Sequence, residues 1–352
     1  MFGGSIVKPG FSSLVASPAI VDYEGLYSWG RNNYGQLGLG YTTYRSSPVQ
    51  VGALTNWLQA AGGYLHTVAI KTDGTLWSWG YNNAGQLGLD NTTNRSSPVQ
   101  VGALTTWAST ACGRDHTLAI KTDGTLWSWG ENNNGQLGLG GTTDRSSPVQ
   151  VGALTTWRQT ACGERFTLAI KTNGTLWSWG LNINGELGIG DTSSRSSPVQ
   201  VGALTNWLQA ACGYNHTLAI KTDGTLWSWG AGSAGQLGLG NTTERLSPVQ
   251  VGALTTWAST AGGAYHTVAI KTDGTLWSWG YNNNGQLGLG DTTNRSSPVQ
   301  VGALTNWLQT AAGNTQSFAI PAAVTPPEYT QYTGIWTLPQ VNAAVEAGTW
   351  PA

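Results

Sequence analysis

The sequence predicts an all-β fold assembled from one small sheet repeated six times, and three observations carry that prediction. The stretch Gly74-Thr-Leu-Trp-Ser-Trp-Gly80 returns every 50 residues, at Gly124–Gly130, Gly174–Gly180, Gly224–Gly230 and Gly274–Gly280, with a worn copy at Gly25–Gly30. Within each period the apolar residues fall in short runs separated by turn residues, as strands do. Six consecutive copies in 352 residues define a repeat array, in which each unit needs its neighbours to bury its apolar faces.

Within the unit 51–100, Trp57–Ala61 reads as a first strand and His66–Ile70 as a second. Lys71-Thr-Asp-Gly74 joins the second to Thr75–Trp79, because Asp-Gly tolerates the positive φ of a tight hairpin. A glycine-punctuated loop follows, and Pro98–Val101 reads as a fourth, outer strand with the proline at its start, where a missing N–H is harmless. Four strands in about 50 residues make one blade of a β-propeller, a blade being packed on both faces. Trp77 and Trp79 then point one way and Leu76 the other, as packing anchors between blades.

Counting strand types predicts the closure. The Trp57-type strand occurs six times and ends at Trp307, whereas the Trp77-type strand starts the series at Tyr27 and the Pro98-type at Pro48. The expected fold is a six-bladed β-propeller of four-stranded blades, closed where Trp307–Ala311 and Ser317–Ile320 meet Leu26–Trp29 and Pro48–Val51. Joining the ends removes open sheet edges. Thr55-Asn-Trp-Leu-Gln-Ala60 returns at Thr205 and Thr105-Thr-Trp-Ala-Ser-Thr110 at Thr255, so three blades read as duplicated. The domain division is 1–16 as an N-terminal arm, 17–320 as the propeller and 321–352 as a Pro-rich linker and attachment segment.

Composition narrows function. Charged residues make up 9%, with 16 Lys plus Arg against 17 Asp plus Glu, which leaves no field of one sign to draw a polyanion or an anionic membrane. No apolar span reaches the roughly 18 residues a membrane helix needs, and the N-terminus has no signal-peptide pattern. Cys112, Cys162 and Cys212 share a repeat position with Gly62, Gly262 and Ala312, so they read as buried thiols in a tight slot.

The recurring pattern Gly-x-Leu-x-x-Trp-Gly-x-Asn-x-x-Gly-Gln-Leu-Gly-x-Gly, with Gly-x-x-His-Thr-x-Ala-Ile before it, closely resembles the regulator of chromosome condensation repeat family over about 300 residues. That resemblance implies a β-propeller, usually seven-bladed, so a seven-bladed ring is the alternative. The family's chromatin-bound nucleotide exchange factor has a basic tail and an exchange wedge; here Lys8 is the only lysine in the first 30 residues and no repeat carries an insertion. The family also includes a propeller that inhibits β-lactamases through loops on one face.

Alternate loops of antiparallel strands lie at opposite ends of a blade. The Lys71–Gly74 and Gly102–Thr105 turns are nearly invariant among repeats, while the opposite loops vary. The varying positions give the candidate binding residues Tyr64, Tyr81, Arg114, Asp115, Glu131, Glu164, Arg165, Tyr214, Tyr265 and Tyr281. Loops on a rigid scaffold carry binding, with Tyr and Arg as favoured anchors. Exposed loops also drift freely, and the variation alone does not separate the two.

Nothing in the chain calls for catalysis, and no metal, cofactor or nucleic acid is expected. His66, His116, His216 and His266 alternate with Phe166 and Gln316, which suits histidines hydrogen-bonded within each blade better than a metal ring. Arg45 and its five counterparts read as a repeated loop clamp, and Lys71 and Asp73 as solvated hairpin residues. After Ile320, the segment Tyr329–Ala352 resembles C-terminal segments of tailed-bacteriophage virion proteins, with Trp336 and Trp350 as attachment anchors. The resulting expectation is a non-enzymatic virion structural protein, a tail-fibre, neck or decoration component assembled in the host cytoplasm. It would bind other virion proteins through its terminal segments and a host-surface receptor through its variable face. The alternative is a cellular protein-interaction module of the same repeat family, either a protein inhibitor or a nucleotide-exchange scaffold.

Overall fold

The computed structural model describes residues 25–53 and 55–322, together with the backbone of Ile6–Val7. The strands are β1 (Ile6–Val7), β2 (Tyr27–Gly30) and β3 (Arg45–Gln50), then a first complete blade of β4 (Trp57–Gly62), β5 (His66–Lys71), β6 (Leu76–Gly80) and β7 (Arg95–Gln100). The second blade is β8 (Trp107–Cys112), β9 (His116–Lys121), β10 (Leu126–Gly130) and β11 (Arg145–Gln150). The third is β12 (Trp157–Cys162), β13 (Phe166–Lys171), β14 (Leu176–Gly180) and β15 (Arg195–Gln200), and the fourth is β16 (Trp207–Cys212), β17 (His216–Lys221), β18 (Leu226–Gly230) and β19 (Arg245–Gln250). The fifth comprises β20 (Trp257–Gly262), β21 (His266–Lys271), β22 (Leu276–Gly280) and β23 (Arg295–Gln300); β24 (Trp307–Ala312) and β25 (Ser317–Pro321) end the series. All ladders are antiparallel, and the inner strands β4, β8, β12, β16, β20 and β24 neighbour one another in order.

The architecture is the expected six-bladed β-propeller, with five complete blades and the strands of a sixth divided between the chain ends. β2–β3 supplies the third and fourth strand types and β24–β25 the first and second, as the strand count requires. In this structure the two pairs stand as separate two-stranded sheets. β1 pairs with the free edge of β4, Ile6 opposite Ala60 and Val7 opposite Gln59, adding a fifth strand to the first blade.

The core lies at the junctions between blades. Val68, Ile70 and Leu76 of the first blade pack against Trp107, Ala119 and Trp129 of the second, and equivalent clusters recur farther along. Trp79, Trp129, Trp179, Trp229 and Trp279 are fully buried, and each indole N–H donates to a carbonyl 43 residues earlier, such as Trp129 Nε1 to Gln86 O at 3.0 Å. Gln86 O also accepts from Thr117 Oγ1 at 2.9 Å, so one loop carbonyl holds two groups of the following blade. That geometry explains the Asn-x-x-Gly-Gln-Leu-Gly pattern. Asn82 donates to Asn91 O and Thr93 O and accepts from Leu87 N, fixing the loop from within. Gly88 adopts φ +71°, and a Cβ there would stand 2.8 Å from Trp129 Nε1.

Four sequence expectations change. The fourth strand starts at Arg95, with Pro98 inside it rather than at its start; the register of β6 with β7 is irregular between the Ser78–Val99 and Gly80–Arg95 pairs, and an outer strand needs no N–H there. Trp77 does not share the burial of Trp79: it stays half-buried, with its indole donating to Thr75 Oγ1 at 2.8 Å. Lys71 is not solvated, because its ammonium lies 3.7 Å from the Trp77 ring centroid and 5.0 Å from that of Trp57, a cation–π contact repeated in all five complete blades. Asp73 is exposed as expected and accepts from the Thr75 amide and hydroxyl. The histidines bond across blades rather than within them, His66 Nε2 reaching Thr117 Oγ1 at 2.9 Å. Thr117 has already donated its proton to Gln86 O, so His66 Nε2 carries the hydrogen.

The arginine clamp forms in some repeats, with Arg195 on Asp191 and Arg295 on Asp291 at 2.6 Å and Arg45 on the Tyr41 hydroxyl at 2.7 Å, whereas Arg145 bonds the carbonyl of its neighbour Asp144. The three cysteines are free thiols; burial pushes Cys112 up to about 12, and its sulfur sits 3.6 Å from Ala61 O.

Glu186 stands where five repeats carry Gln, at 0% exposure, and burial raises its carboxyl above the usual range. It accepts from the Asn184 amide N–H and side-chain NH₂, but the charge still loses its water. Glu186→Gln is therefore expected to stabilise the protein at pH 7. A carboxyl raised in the folded state weakens the fold above its folded value and not below its unfolded one. The gain should thus disappear near pH 4, which urea midpoints of the two proteins at both pH values would check.

Candidate protein-binding face

The loops before the second strand and after the third strand of each blade share one end of the propeller. Main-chain hydrogen bonds tie these loops from blade to blade: Tyr64 N to Arg114 O, Arg114 N to Glu164 O, Glu164 N to Tyr214 O and Tyr214 N to Ala264 O, at 3.0–3.3 Å. A second set anchors the outer loops, with Tyr81 N on Leu65 O, Glu131 N on Asp115 O and Tyr281 N on Tyr265 O at 2.8–2.9 Å. The varying side chains thus stand on a fixed backbone, which is what a preorganised surface needs.

All ten predicted residues lie on this face, and contacts link the side chains of most of them. The Arg114 guanidinium lies 5.8 Å from the Tyr64 ring centroid and pairs with Glu164 at 2.8 Å and Asp115 at 3.2 Å. Arg165 approaches Glu131 and Glu164, each at 4.0 Å. The Tyr214 hydroxyl bonds to Glu164, and burial together with that carboxylate raises it to about 12. The Tyr214 ring stacks on Tyr265 at 5.9 Å and 9°, and Tyr265 meets Tyr281 edge-on at 6.3 Å. Asp115 is raised chiefly by burial and then by neighbouring Glu131, while Gln86 Nε2 bonds it at 3.1 Å.

The face has two zones. Arg114, Asp115, Glu131, Glu164 and Arg165 form a charged zone that is largely neutralised internally. Leu181, Ile183, Tyr214, Tyr265 and Tyr281 form an uncharged one, with Ile183 62% exposed. Ile183 and Tyr34, which packs on Tyr81 at 4.8 Å, were missed by the sequence reading. Both occupy positions that differ between repeats, Tyr34 against Ala84 and Asn134, and Ile183 against Asn83 and Asn133, so the same comparison extended three residues would have found them. Trp336 and Trp350 lie outside the described residues. Among the described residues no three His, Cys, Asp or Glu side chains gather as a metal site would require.

The repeat propeller thus carries, on one face, tyrosines and paired charges that differ from blade to blade. The family model for the regulator of chromosome condensation (RCC1) repeat matches residues 24–70, 73–120, 123–170, 173–220, 223–270 and 273–320, and a second model of the same repeat matches five overlapping stretches. The chain belongs to the RCC1 repeat family.

Among solved structures, human WBSCR16 is similar at 26% identity and TM-score 0.75, over 84% of this chain and 80% of that one. Prp20p from Saccharomyces cerevisiae, described with its binding to Gsp1p and histones, is similar at 20% identity and TM-score 0.61, over 83% and 90%. Yeast RCC1 (Prp20) bound to Kap60 is similar at 20% and TM-score 0.62, over 89% and 96%. These two yeast likenesses concern the fold.

Proposed function

We propose that this chain is a protein-interaction module that docks its partner on the variable face. One observation carries the reading: side-chain contacts link the varying residues across the face, while the opposite turns repeat almost unchanged. The tyrosines supply rigid contact area and the paired charges set register, because partly buried ion pairs add selectivity more than affinity. The partners named for the yeast structures support binding of proteins as the class.

Capture from source-cell extract, quantified by mass spectrometry, tests this with the double variant Tyr214→Ser/Tyr265→Ser and a control, Thr72→Glu, on the constant face. Partners should fall at least tenfold with the first variant and persist with the second. Equal capture by wild type and the tyrosine variant would sink the proposal.

A narrower reading places the module on a tailed-phage particle, attached through its terminal segments and facing a host receptor. It rests on the Tyr329–Ala352 sequence alone, and the family membership favours the broader reading. Mass spectrometry of purified virions decides it, since a virion component must be present in them.

A further inference from the structure

Neighbouring blades leave grooves between them on the outer rim of the propeller. The one between the third and fourth blades has a volume of about 420 Å³ and is lined by the apolar Trp227, Leu204 and Pro248 and the polar Arg195, Gln200 and Ser247. The next, between the fourth and fifth blades, has about 500 Å³ and the same six residues one repeat on, Trp277, Leu254, Pro298, Arg245, Gln250 and Ser297. Both volumes fall in the range of small-ligand sites, whose usual lining is apolar with a few polar groups. The sequence carries the same six residue types at the two preceding junctions, with Trp127 and Leu104 at one and Trp177 and Leu154 at the other.

Two features set these grooves apart from accidental gaps. Leu104, Leu154, Leu204 and Leu254 are 45–47% exposed, so the same apolar side chain stands at the same open position in four successive turns. The half-buried indoles are held in place: Trp227 Nε1 donates to Thr225 Oγ1 at 2.9 Å, and the Lys221 ammonium lies 3.6 Å from its ring centroid. Thr275 and Lys271 hold Trp277 in the same way. A ring fixed beforehand loses little freedom when a ligand arrives.

Repetition and charge select the occupant. A folded partner presents a given segment once, whereas a polymer offers the same unit to every groove. Each of the two grooves contains a single charged residue, an arginine, and Arg195 is already paired with Asp191 at 2.6 Å, so the lining does not suit a polyanion. A hexose ring combines an apolar C–H face, which an indole and a leucine can cover, with hydroxyls that guanidinium, amide and serine groups can bond. We propose that the grooves bind neutral hexose units and that the rim as a whole holds a neutral polysaccharide. Weak equal sites on one rigid body raise avidity without any new contact. The rim is a different surface from the variable face, and its binding does not depend on that reading.

Native gels cast with dextran, mannan or galactan test this on the full-length chain, with heparin as the polyanion control. At least one of the three neutral polymers should retard the protein, and the matching free hexose should compete about a hundredfold less well per sugar unit, the advantage that linked sites provide. Leu204→Glu puts a carboxylate at the mouth of one groove and should weaken retardation by about threefold, and Leu204→Glu/Leu254→Glu by about tenfold or more. Replacing Leu104, Leu154, Leu204 and Leu254 together by Glu should abolish it while leaving the far-UV circular dichroism unchanged, because all four side chains are exposed. Tyr214→Ser/Tyr265→Ser should leave retardation intact. Retardation by none of the neutral polymers, by heparin alone, or equally of wild type and the four-leucine variant overturns the proposal. Loss in the tyrosine variant does so as well, because the polymer would then sit on the variable face.

Discussion

Replacing Trp179 with alanine is expected to lower stability by about 3–5 kcal/mol, the range for truncating a fully buried tryptophan. Its ring is fully buried between the second and third blades and meets Trp157 edge-on at 6.1 Å. Its N–H donates to Gln136 O at 2.9 Å, and a Cβ on Gly138 would stand 2.8 Å from that nitrogen. Truncation removes the packing of both blades and one of the two donors on Gln136 O, leaving Thr167 Oγ1 as the other. Each blade of a repeat array leans on its neighbours, so a broken junction should also make unfolding less cooperative. Denaturant unfolding followed by tryptophan fluorescence measures both effects. Trp177→Ala, at a half-exposed ring in the same strand, is the matched control and should cost distinctly less; equal losses would show that the junction contact is not what holds the blades.

Acid should unfold the protein from an unusually high pH. Burial holds His66, His116 and His216 at about 3 and His266 at about 4. The unfolded chain takes up these protons near pH 6.5, whereas the folded chain takes them up only at those lower values. The depressed folded value means that the stability contribution is intact above about pH 6.5 and is lost as the pH falls toward 3–4. Each histidine contributes a slope of up to about 1.4 kcal/mol per pH unit, so four acting together give about 5 kcal/mol per unit at the steepest. Urea midpoints between pH 7 and pH 4 measure this. His116→Phe should reduce the slope by about a quarter, since Phe166 already fills the same slot fully buried. A midpoint that stays flat from pH 7 to pH 5 would contradict the assignment of neutral buried imidazoles.

The strands were legible in the sequence because their determinants are local. Turn glycines, the Asp-Gly hairpin and short apolar runs recur at one spacing, and each copy checks the others. The candidate face was legible for a related reason: repeats that are constant elsewhere differ at Tyr64, Arg114 and Tyr214, so the chain carries its own comparison. Contacts between blades were not legible. His66 and Thr117 are 51 residues apart and Trp129 and Gln86 are 43 apart, and nothing in either local segment says which neighbour a side chain faces. Lys71 misled for a different reason, because a lysine beside a turn is usually solvated unless two tryptophans of its own blade converge on it.

The sequence by itself determined the strand types, their order and the unequal halves at the two ends, since each follows from short-range pattern and counting. Only the tertiary structure decided which tryptophan is buried, where the histidine protons sit and which neighbouring blade each of those groups bonds. Those depend on how one blade is rotated against the next. That angle is set by packing and hydrogen bonds between distant residues, and small equal rotations accumulate around the array until they fix where its ends lie.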